Sequence, residues 1–430
     1  MTYQETIDYL FGALPMYQKI GNEAFKKGLE NILRLCDAMG QPHAQFKTLH
    51  VAGTNGKGST SHSIAAVLQA AGYKTGLYTS PHLKSFTERV RIDGQEIPQQ
   101  EVVDFVENNK ALFDEIKPSF FEMTVALAFW YFAKNNVDIA IIEVGLGGRL
   151  DSTNIIRPEL SVITNISFDH TEMLGDTLAL IAAEKAGIIK PFVPVVLGEI
   201  LPETEQVFRE KAAQENAPLV SANAILRAEY KGQDEDYQLF DVYKEGLLYF
   251  ENLAFQLKGS YQRKNLPTII AALDQLQLRG FSFTEHDLRE GLANVSTLTG
   301  LKGRWQKLTT KPTTICDTGH NESGLAQVLA QVSTQKFDNL YMVVGVVREK
   351  DLAKILPLFP QNAYYFFCQP SVPRGLPAQE LFEKAAVFGL RGEVIVNPNE
   401  ALAQARQRAG ESDFIFVGGS TFVVADLDEI

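Results

Sequence analysis

Between Lys47 and Ala71 the chain reads as an apolar strand, a glycine-rich turn and a helix, and this order restricts the fold more than any other stretch. Lys47–Ala52 (KTLHVA) is the apolar run, Gly53–Ser59 (GTNGKGS) the turn, and Thr60–Ala71 (TSHSIAAVLQAA) follows helical spacing, with Gly72 placed to end the helix. A glycine turn that opens a helix after a strand gathers backbone N–H groups at the positive helix end, where an anion is stabilised. It also predicts a strand buried on both faces, which is the habit of a parallel sheet.

The rest of the chain extends that pattern. Lys74–Thr79, Val137–Val144, Leu160–Ile166 and Val193–Leu197 are further strand candidates, with helical segments at about 121–134 and 178–189 between them. Alternation of this kind predicts a mostly parallel, doubly wound α/β sheet. Residues 219–257 alternate polar and aromatic residues and predict a small antiparallel segment, followed by helices at Gln262–Leu278 and Thr284–Leu292. A second α/β unit follows, with strands expected at Thr313–Cys316, Leu340–Val344, Ala363–Cys368, Glu393–Val396 and Asp413–Val417. At 430 residues two domains are the natural expectation, and the polar connector 294–302 divides the chain into 1–296 and 297–430.

Composition removes several classes of function. With 45% hydrophobic and 21% charged residues the profile is globular, and a formal net charge of -12 disfavours nucleic acid or an anionic membrane surface as partner. No stretch approaches the ~20 apolar residues of a membrane span. Cys36, Cys316 and Cys368 are far apart and read as buried free thiols in a reducing compartment. The first residues, MTYQETIDYLFGALP, carry acidic groups and no long apolar run, so no secretion signal is expected and the expected address is cytoplasmic.

In the turn, Gly53 and Gly56 permit the tight bend, Lys57 can reach terminal phosphates and Ser59 can bind Mg²⁺, with Thr54, Asn55, Gly58 and Thr60 completing the cradle. The literal phosphate-loop pattern is not met, because two residues separate Gly53 from Gly56 and Gly58 intervenes between Lys57 and Ser59. Three polar residues fall at expected strand ends: Ser80, Glu143 and His170. Open α/β sheets bind ligands beyond the carboxyl ends of their strands, so together these make a metal and phosphate rim, although each alone is weak evidence and His170 alone reads more readily as structural. Glu143 leads into a glycine-rich loop (VGLGGRLDSTN) whose charged members, Arg149 and Asp151, are expected to face the site. Lys185, in an apolar helical stretch, reads by itself as a surface lysine that pairs with Glu184 or snorkels.

These blocks, in this order, resemble the folylpolyglutamate/dihydrofolate synthases, a branch of the Mur ligase superfamily, from about residue 20 to the C-terminus. The resemblance is carried by GTNGKGST (53–60), TSPHL (79–83), ERVRIDG (88–94), EVGLGGRLDSTN (143–154), ITNISFDHTEMLG (163–175), IAAEKAGIIK (181–190), LKGSYQRKN (257–265), GLKGRW (300–305), DTGHN (317–321) and VGGST (417–421). It implies an N-terminal P-loop ATPase-like domain with the doubly wound sheet and small antiparallel segment, and a C-terminal Rossmann-like α/β domain. It also implies ATP and two Mg²⁺ ions as cofactors, and a monovalent cation. Ser80, Glu143 and His170 match metal ligands, and Lys185 matches a lysine that is often carbamylated, which would turn it into an oxygen ligand. Lys57, His170 and Lys185 are thereby the catalytic candidates. Asn265, Arg304 and Asp317 match nucleotide contacts. Gly28, Leu29, Glu30 and Asn31, then Ser119, Phe120, Phe121 and Glu122, then Leu150, Asp151 and Ser152 match the segments holding the pteridine end of the substrate. The chain departs from the family at Tyr261-Gln262, Gly319-His320-Asn321 and Glu349-Lys350-Asp351, where HQ, AHN and DKD are usual.

The reaction implied is ATP-dependent addition of L-glutamate to dihydropteroate or a folate through an acyl phosphate, by a monomer with small-molecule partners only. His320 and Lys350 are the candidates for handling glutamate. Two other readings stay open: a different amide ligase of the superfamily, and a nucleotide switch or kinase that makes no amide.

Overall fold

The computed structural model describes residues 1–12 and 28–430; the chain from 13 to 27, where the resemblance begins, lies outside the described residues. The chain forms two compact units, one of Met1–Gln256 with Gln262–Leu301, the other of Leu257–Tyr261 with Lys302–Ile430.

In the first unit the strands are β1 (Lys47–Ala52), β2 (Thr75–Tyr78), β3 (Val90–Ile92), β4 (Gln95–Glu96), β5 (Ile139–Glu143), β6 (Leu160–Asn165), β7 (Val195–Glu199) and β8 (Leu219–Ser221). They form one 8-stranded sheet in the order β4-β3-β2-β5-β1-β6-β7-β8. From β2 to β8 all neighbours are parallel, while β3 and β4 fold back antiparallel at one edge. Every residue of β5 and all of β1 except Lys47 is buried, which is why these strands appear as unbroken apolar runs. The edge strands β3 and β4, and the helix Gln99–Ile116, were not expected from the sequence pattern. Strands of three and two residues are too short to show a period.

The helix that follows the glycine turn begins at Lys57 rather than Thr60 and ends at Ala70. From Ser59 to Leu68 it is buried on every side, covered by the sheet and by the helices Gln262–Leu278, Glu285–Ala293 and Val295–Thr299. Its polar side chains therefore need internal partners: Gln262 Nε2 donates to Ser59 Oγ at 3.0 Å, and His62 Nδ1 meets Thr299 Oγ1 at 2.7 Å. The crossing of Glu285–Ala293 is close enough that a Cβ on Gly291 would fall 2.5 Å from Val67 Cα.

The antiparallel segment is a three-stranded sheet of β9 (Leu226–Gln233), β10 (Gln238–Lys244) and β11 (Leu247–Phe255), in the order β11-β10-β9. The second unit carries β12 (Gln306–Thr310), β13 (Thr313–Cys316), β14 (Leu340–Val344), β15 (Tyr364–Phe367), β16 (Arg391–Val394) and β17 (Phe414–Gly418). Their order is β12-β13-β17-β14-β15-β16, parallel throughout except for β12. Edge strand β12 was not anticipated, and β16 starts two residues before the expected Glu393. Both are mostly half-exposed, so burial leaves no clear apolar signature on them.

Cys36, Cys316 and Cys368 are buried and free, and burial pushes the Cys36 thiol up to about 12. No described helix is long and apolar enough to cross a membrane. Because Val67 offers backbone rather than a flexible side chain at the Gly291 contact, Gly291→Ala is expected to destabilise the first unit by about 2 kcal/mol, read as a lower urea midpoint at unchanged m-value.

Candidate functional site

Strand β1 lies between β5 and β6, where successive connections run to opposite sides, so the turn after it occupies the crevice in which open α/β sheets bind ligands. Two glycines let the chain through. Gly53 has φ +148 and a Cβ there would fall 1.9 Å from Thr164 Oγ1; Gly56 has φ +86 and its Cβ would meet Asn265 Oδ1 at 2.5 Å. Between them the loop is stitched to the end of β6. Thr54 N donates to the Asn165 carbonyl at 3.0 Å, Asn55 N to Asn165 Oδ1 at 2.9 Å, and Thr164 Oγ1 to the Asn55 carbonyl at 2.6 Å. Thr54 Oγ1 also accepts from Ser167 N at 3.1 Å. Thr164, Asn165 and Ser167 stand in the block ITNISFDHTEMLG without having been singled out, since nothing local to a strand end indicates which other loop it will hold. Asn265 was expected at the nucleotide, and it does lie against the turn, with its Nδ2 on Gln262 Oε1 at 2.8 Å.

Lys57 opens the helix, and its side chain folds back so that Nζ donates to the carbonyls of Gly53 at 3.1 Å and Thr54 at 3.2 Å. The first-turn amides of this helix have no intrahelical acceptor and point into the same crevice. Lys185 is not a surface lysine. It is 4% exposed, and its Nζ donates to the same Gly53 carbonyl at 3.1 Å. Glu184, its expected partner, accepts instead from Arg149 Nη2 at 2.8 Å. Burial, reinforced by the charge of Lys57, lowers the Lys185 ammonium to about 7.

The neighbouring strands bring the other rim residues to the same sheet edge. Glu143 is the last residue of β5, buried, and registered opposite Val51 of β1, two residues before Gly53. Ser80 stands two residues past β2, the next strand out. His170 follows β6 and takes a left-handed conformation (φ 49), with Nε2 3.9 Å from Asp169 Oδ2. With adjacent strands ~4.8 Å apart, the ends of β2, β5, β1 and β6 span roughly 15 Å.

The three segments expected to hold an acid substrate are also neighbours. Asn31 Nδ2 donates to Glu122 Oε2 at 3.4 Å, and that carboxylate closes the capping box with Ser119. The Phe121 ring lies against Gly145, where a Cβ would come within 2.4 Å of it. The turn Ser152–Ile155 packs on the helices Glu30–Ala38 and Phe120–Lys134. Arg149 is more than half exposed and Asp151 turns inward, so neither charge presents itself as the loop's sequence suggested. Sequence reading missed Arg89. It is 2% exposed, lies 5.2 Å over the Phe120 ring, and donates from Nε to His82 Nδ1 at 2.7 Å. Among the described residues no carboxylate pairs with it, and burial lowers its affinity for the proton. A buried cation without a carboxylate beside it leaves its charge uncompensated.

In the second unit the Asp317 carboxylate is already fully engaged: Oδ2 accepts from Tyr261 Oη at 2.7 Å and Trp305 N at 2.7 Å, and Oδ1 from Gly319 N at 2.8 Å. Arg304 hydrogen-bonds Thr318 Oγ1. β13, β17 and β14 end together at this unit's own reversal of strand order, and the loops after β13 and β14 carry His320 and Lys350. His320 Nδ1 lies 3.0 Å from the Thr318 carbonyl.

Among the described residues no three His, Cys, Asp or Glu side chains form a metal cage. Mg²⁺ dehydrates reluctantly and takes one or two carboxylates together with substrate phosphates. A buried carboxylate at Glu143, with Ser80 and His170 on the same rim, meets that requirement.

Residues 51–273 match the Mur ligase middle domain, and residues 303–421 match the Mur ligase glutamate ligase domain. The probable bifunctional folylpolyglutamate synthase/dihydropteroate synthase of Haloferax volcanii is 34% identical over 99% of this chain, which spans 50% of that protein. The dihydrofolate synthase/folylpolyglutamate synthase of Bacillus subtilis is 31% identical, over 99% of this chain and 98% of its own. Among solved structures, Escherichia coli FolC in complex with DHPP and ADP is 30% identical and superposes with a TM-score of 0.85, covering 99% of this chain and 96% of that one. The chain belongs to the Mur ligase family, in the branch of the folylpolyglutamate and dihydrofolate synthases.

Proposed function

We propose that this protein uses ATP to join L-glutamate to dihydropteroate, to the γ-carboxylate of folates, or to both, through an acyl phosphate, releasing ADP and phosphate. The observation that carries this reading is the convergence of Lys57 and Lys185 on one carbonyl, that of Gly53. Two ammonium groups meeting at a helix start repel each other, and the repulsion is relieved by loss of the charge on Lys185 or by a polyanion. A triphosphate cradled by Gly53–Thr60 supplies one.

A carboxylate does not react with an amine at neutral pH, because oxide is a poor leaving group. Transfer of the γ-phosphoryl group to the acid makes a mixed anhydride; the glutamate amine then attacks the carbonyl carbon, inorganic phosphate leaves, and the amine loses its proton. Lys57 and the first-turn amides would stabilise the charge spread over the transferring group. Ser80, Glu143 and His170 would hold Mg²⁺, and Lys185 would join them as a carbamate, replacing a cation by an oxygen donor. Mg²⁺ bound there would neutralise phosphate charge during transfer. Asn265, Arg304 and Asp317 would serve the nucleotide, Asp317 by holding Tyr261 and Trp305 rather than by a free carboxylate. Gly28–Asn31, Ser119–Glu122 and Leu150–Ser152 would hold the acid's ring system, with Arg89 available to its carboxylate. His320 and Lys350 would receive glutamate, which their place at the second unit's strand reversal supports. We assign no residues to a monovalent cation. A monomer in the cytoplasm fits the buried free thiols and a chemistry confined to small molecules.

Incubation with ATP, Mg²⁺ and dihydropteroate or tetrahydrofolate, with hydroxylamine in place of glutamate, is expected to give acid-dependent ADP and a hydroxamate. ADP release independent of the acid would instead mark a switch or kinase. Lys57→Met is expected to lower kcat about 10²- to 10³-fold without a change in melting temperature.

Carbamylation consumes the neutral amine, so a Lys185 ammonium lowered to about 7 reacts with CO₂ at pH 8, where an ordinary lysine remains protonated. Carbon-13 bicarbonate is expected to give a protein carbamate resonance at pH 8 that fades as pH falls through 7 and is missing from Lys185→Ala.

A further inference from the structure

His50 and Thr153, two members of one buried network, are left unused by this mechanism. His50 lies in the middle of β1, fully buried, and its Nε2 is 2.9 Å from Thr153 Oγ1. Thr153 Oγ1 in turn donates to Asp151 Oδ1, which also accepts from Thr153 N at 3.0 Å. The other oxygen, Oδ2, accepts from Leu146 N at 2.8 Å, and the Gly145 amide also hydrogen-bonds this carboxylate. Asp151 thus ties the start of the glycine loop, two residues past Glu143, to the turn at its end. Its lone pairs are spent inside the loop.

The direction of each bond follows from the acceptor at the end. A carboxylate only accepts, so the Thr153 hydroxyl hydrogen points to Asp151, and the hydroxyl must accept from His50. His50 therefore carries its proton on Nε2. Its Nδ1 is buried without a partner among the described residues, and burial, with Lys190 nearby, depresses the ring to about 3. The ring is a neutral donor of fixed direction throughout the working pH range.

We infer that His50 and Thr153 are positioning residues that hold the loop 145–151, through Asp151, in the shape that receives the acid substrate. The device has a physical logic. β1 is the strand that delivers the phosphate turn three residues later, so one rigid strand sets both the phosphate cradle and, by the His50–Thr153–Asp151 chain, the loop beside Glu143. A deviation of the loop would leave the turn's own hydrogen bonds to β6 intact. Loss of the network should therefore affect the acid and spare ATP. This assignment to the acid rests on the proposed function; the ordering of the loop does not.

Two measurements on the full chain separate these layers. Hydrogen exchange of peptides spanning 145–153 is expected to quicken about tenfold in His50→Leu and Thr153→Val, with β1 and β6 peptides unchanged. Gln at position 50 can present an amide N–H near the Nε2 position, and Ser at 153 keeps the hydroxyl, so His50→Gln and Thr153→Ser should restore slow exchange. In steady-state assays the KM for the acid should rise about tenfold in the same two variants while the KM for ATP stays within twofold. A merely destabilised protein would lose active fraction, and hence kcat, without that split. Unchanged loop exchange, or a quickening spread evenly over the chain, overturns the inference whatever the activity. Quickened loop exchange with an unchanged acid KM removes the substrate role. If the wild type itself shows no acid-dependent turnover, the functional reading fails, and the exchange data still decide the loop. Should His50→Leu not fold, the Thr153→Val and Thr153→Ser pair carries the test.

Discussion

The carbonyl oxygen of Gly53 accepts a hydrogen bond from Lys57 and another from Lys185, and much of the first unit is arranged around that meeting. One lysine arrives from the helix that the turn opens. The other comes from a helix more than a hundred residues later, whose core packing carries it inward. Bringing two cations together in a crevice is unfavourable by itself, and burial first, with the charge of Lys57 added to it, depresses the Lys185 ammonium.

The same crevice depends on a helix with almost no exposed face. Because Lys57–Ala70 is enclosed, polar side chains on it depend on partners inside, and Ser59 and His62 find theirs on the segment that follows the small antiparallel sheet. Gln262 and Asn265 therefore hold the helix and the turn at once: one satisfies Ser59, the other abuts Gly56. The residue before Gln262, Tyr261, belongs to the second unit, where its hydroxyl caps Asp317. A polar residue read from sequence as a ligand contact is thus, in the fold, a fixed point for two backbone segments.

Much of this was legible from local pattern. The strand–turn–helix at Lys47–Ala70, the parallel strands and the antiparallel segment all followed from periodicity and glycine placement, because a strand buried on both faces must be continuously apolar. The end residues Ser80, Glu143 and His170 could be nominated because strand ends are where an α/β sheet binds. Short edge elements were invisible: β3 and β4 are too short to show a period, and β12 has no buried face to leave a signature.

The sequence by itself determined the class of sheet, the glycine turn that opens a helix and the family, since each rests on residue types at short spacing. Tertiary structure alone decided what the charged residues do. Lys185 by itself looked like a surface lysine and is buried on Gly53; Arg149 and Asp151 looked like site charges and are spent on Glu184 and on their own loop; Arg89 gave no sign of its burial. Burial and partners are set by elements distant in the chain. A charge at a given position has no preferred role until those elements surround it.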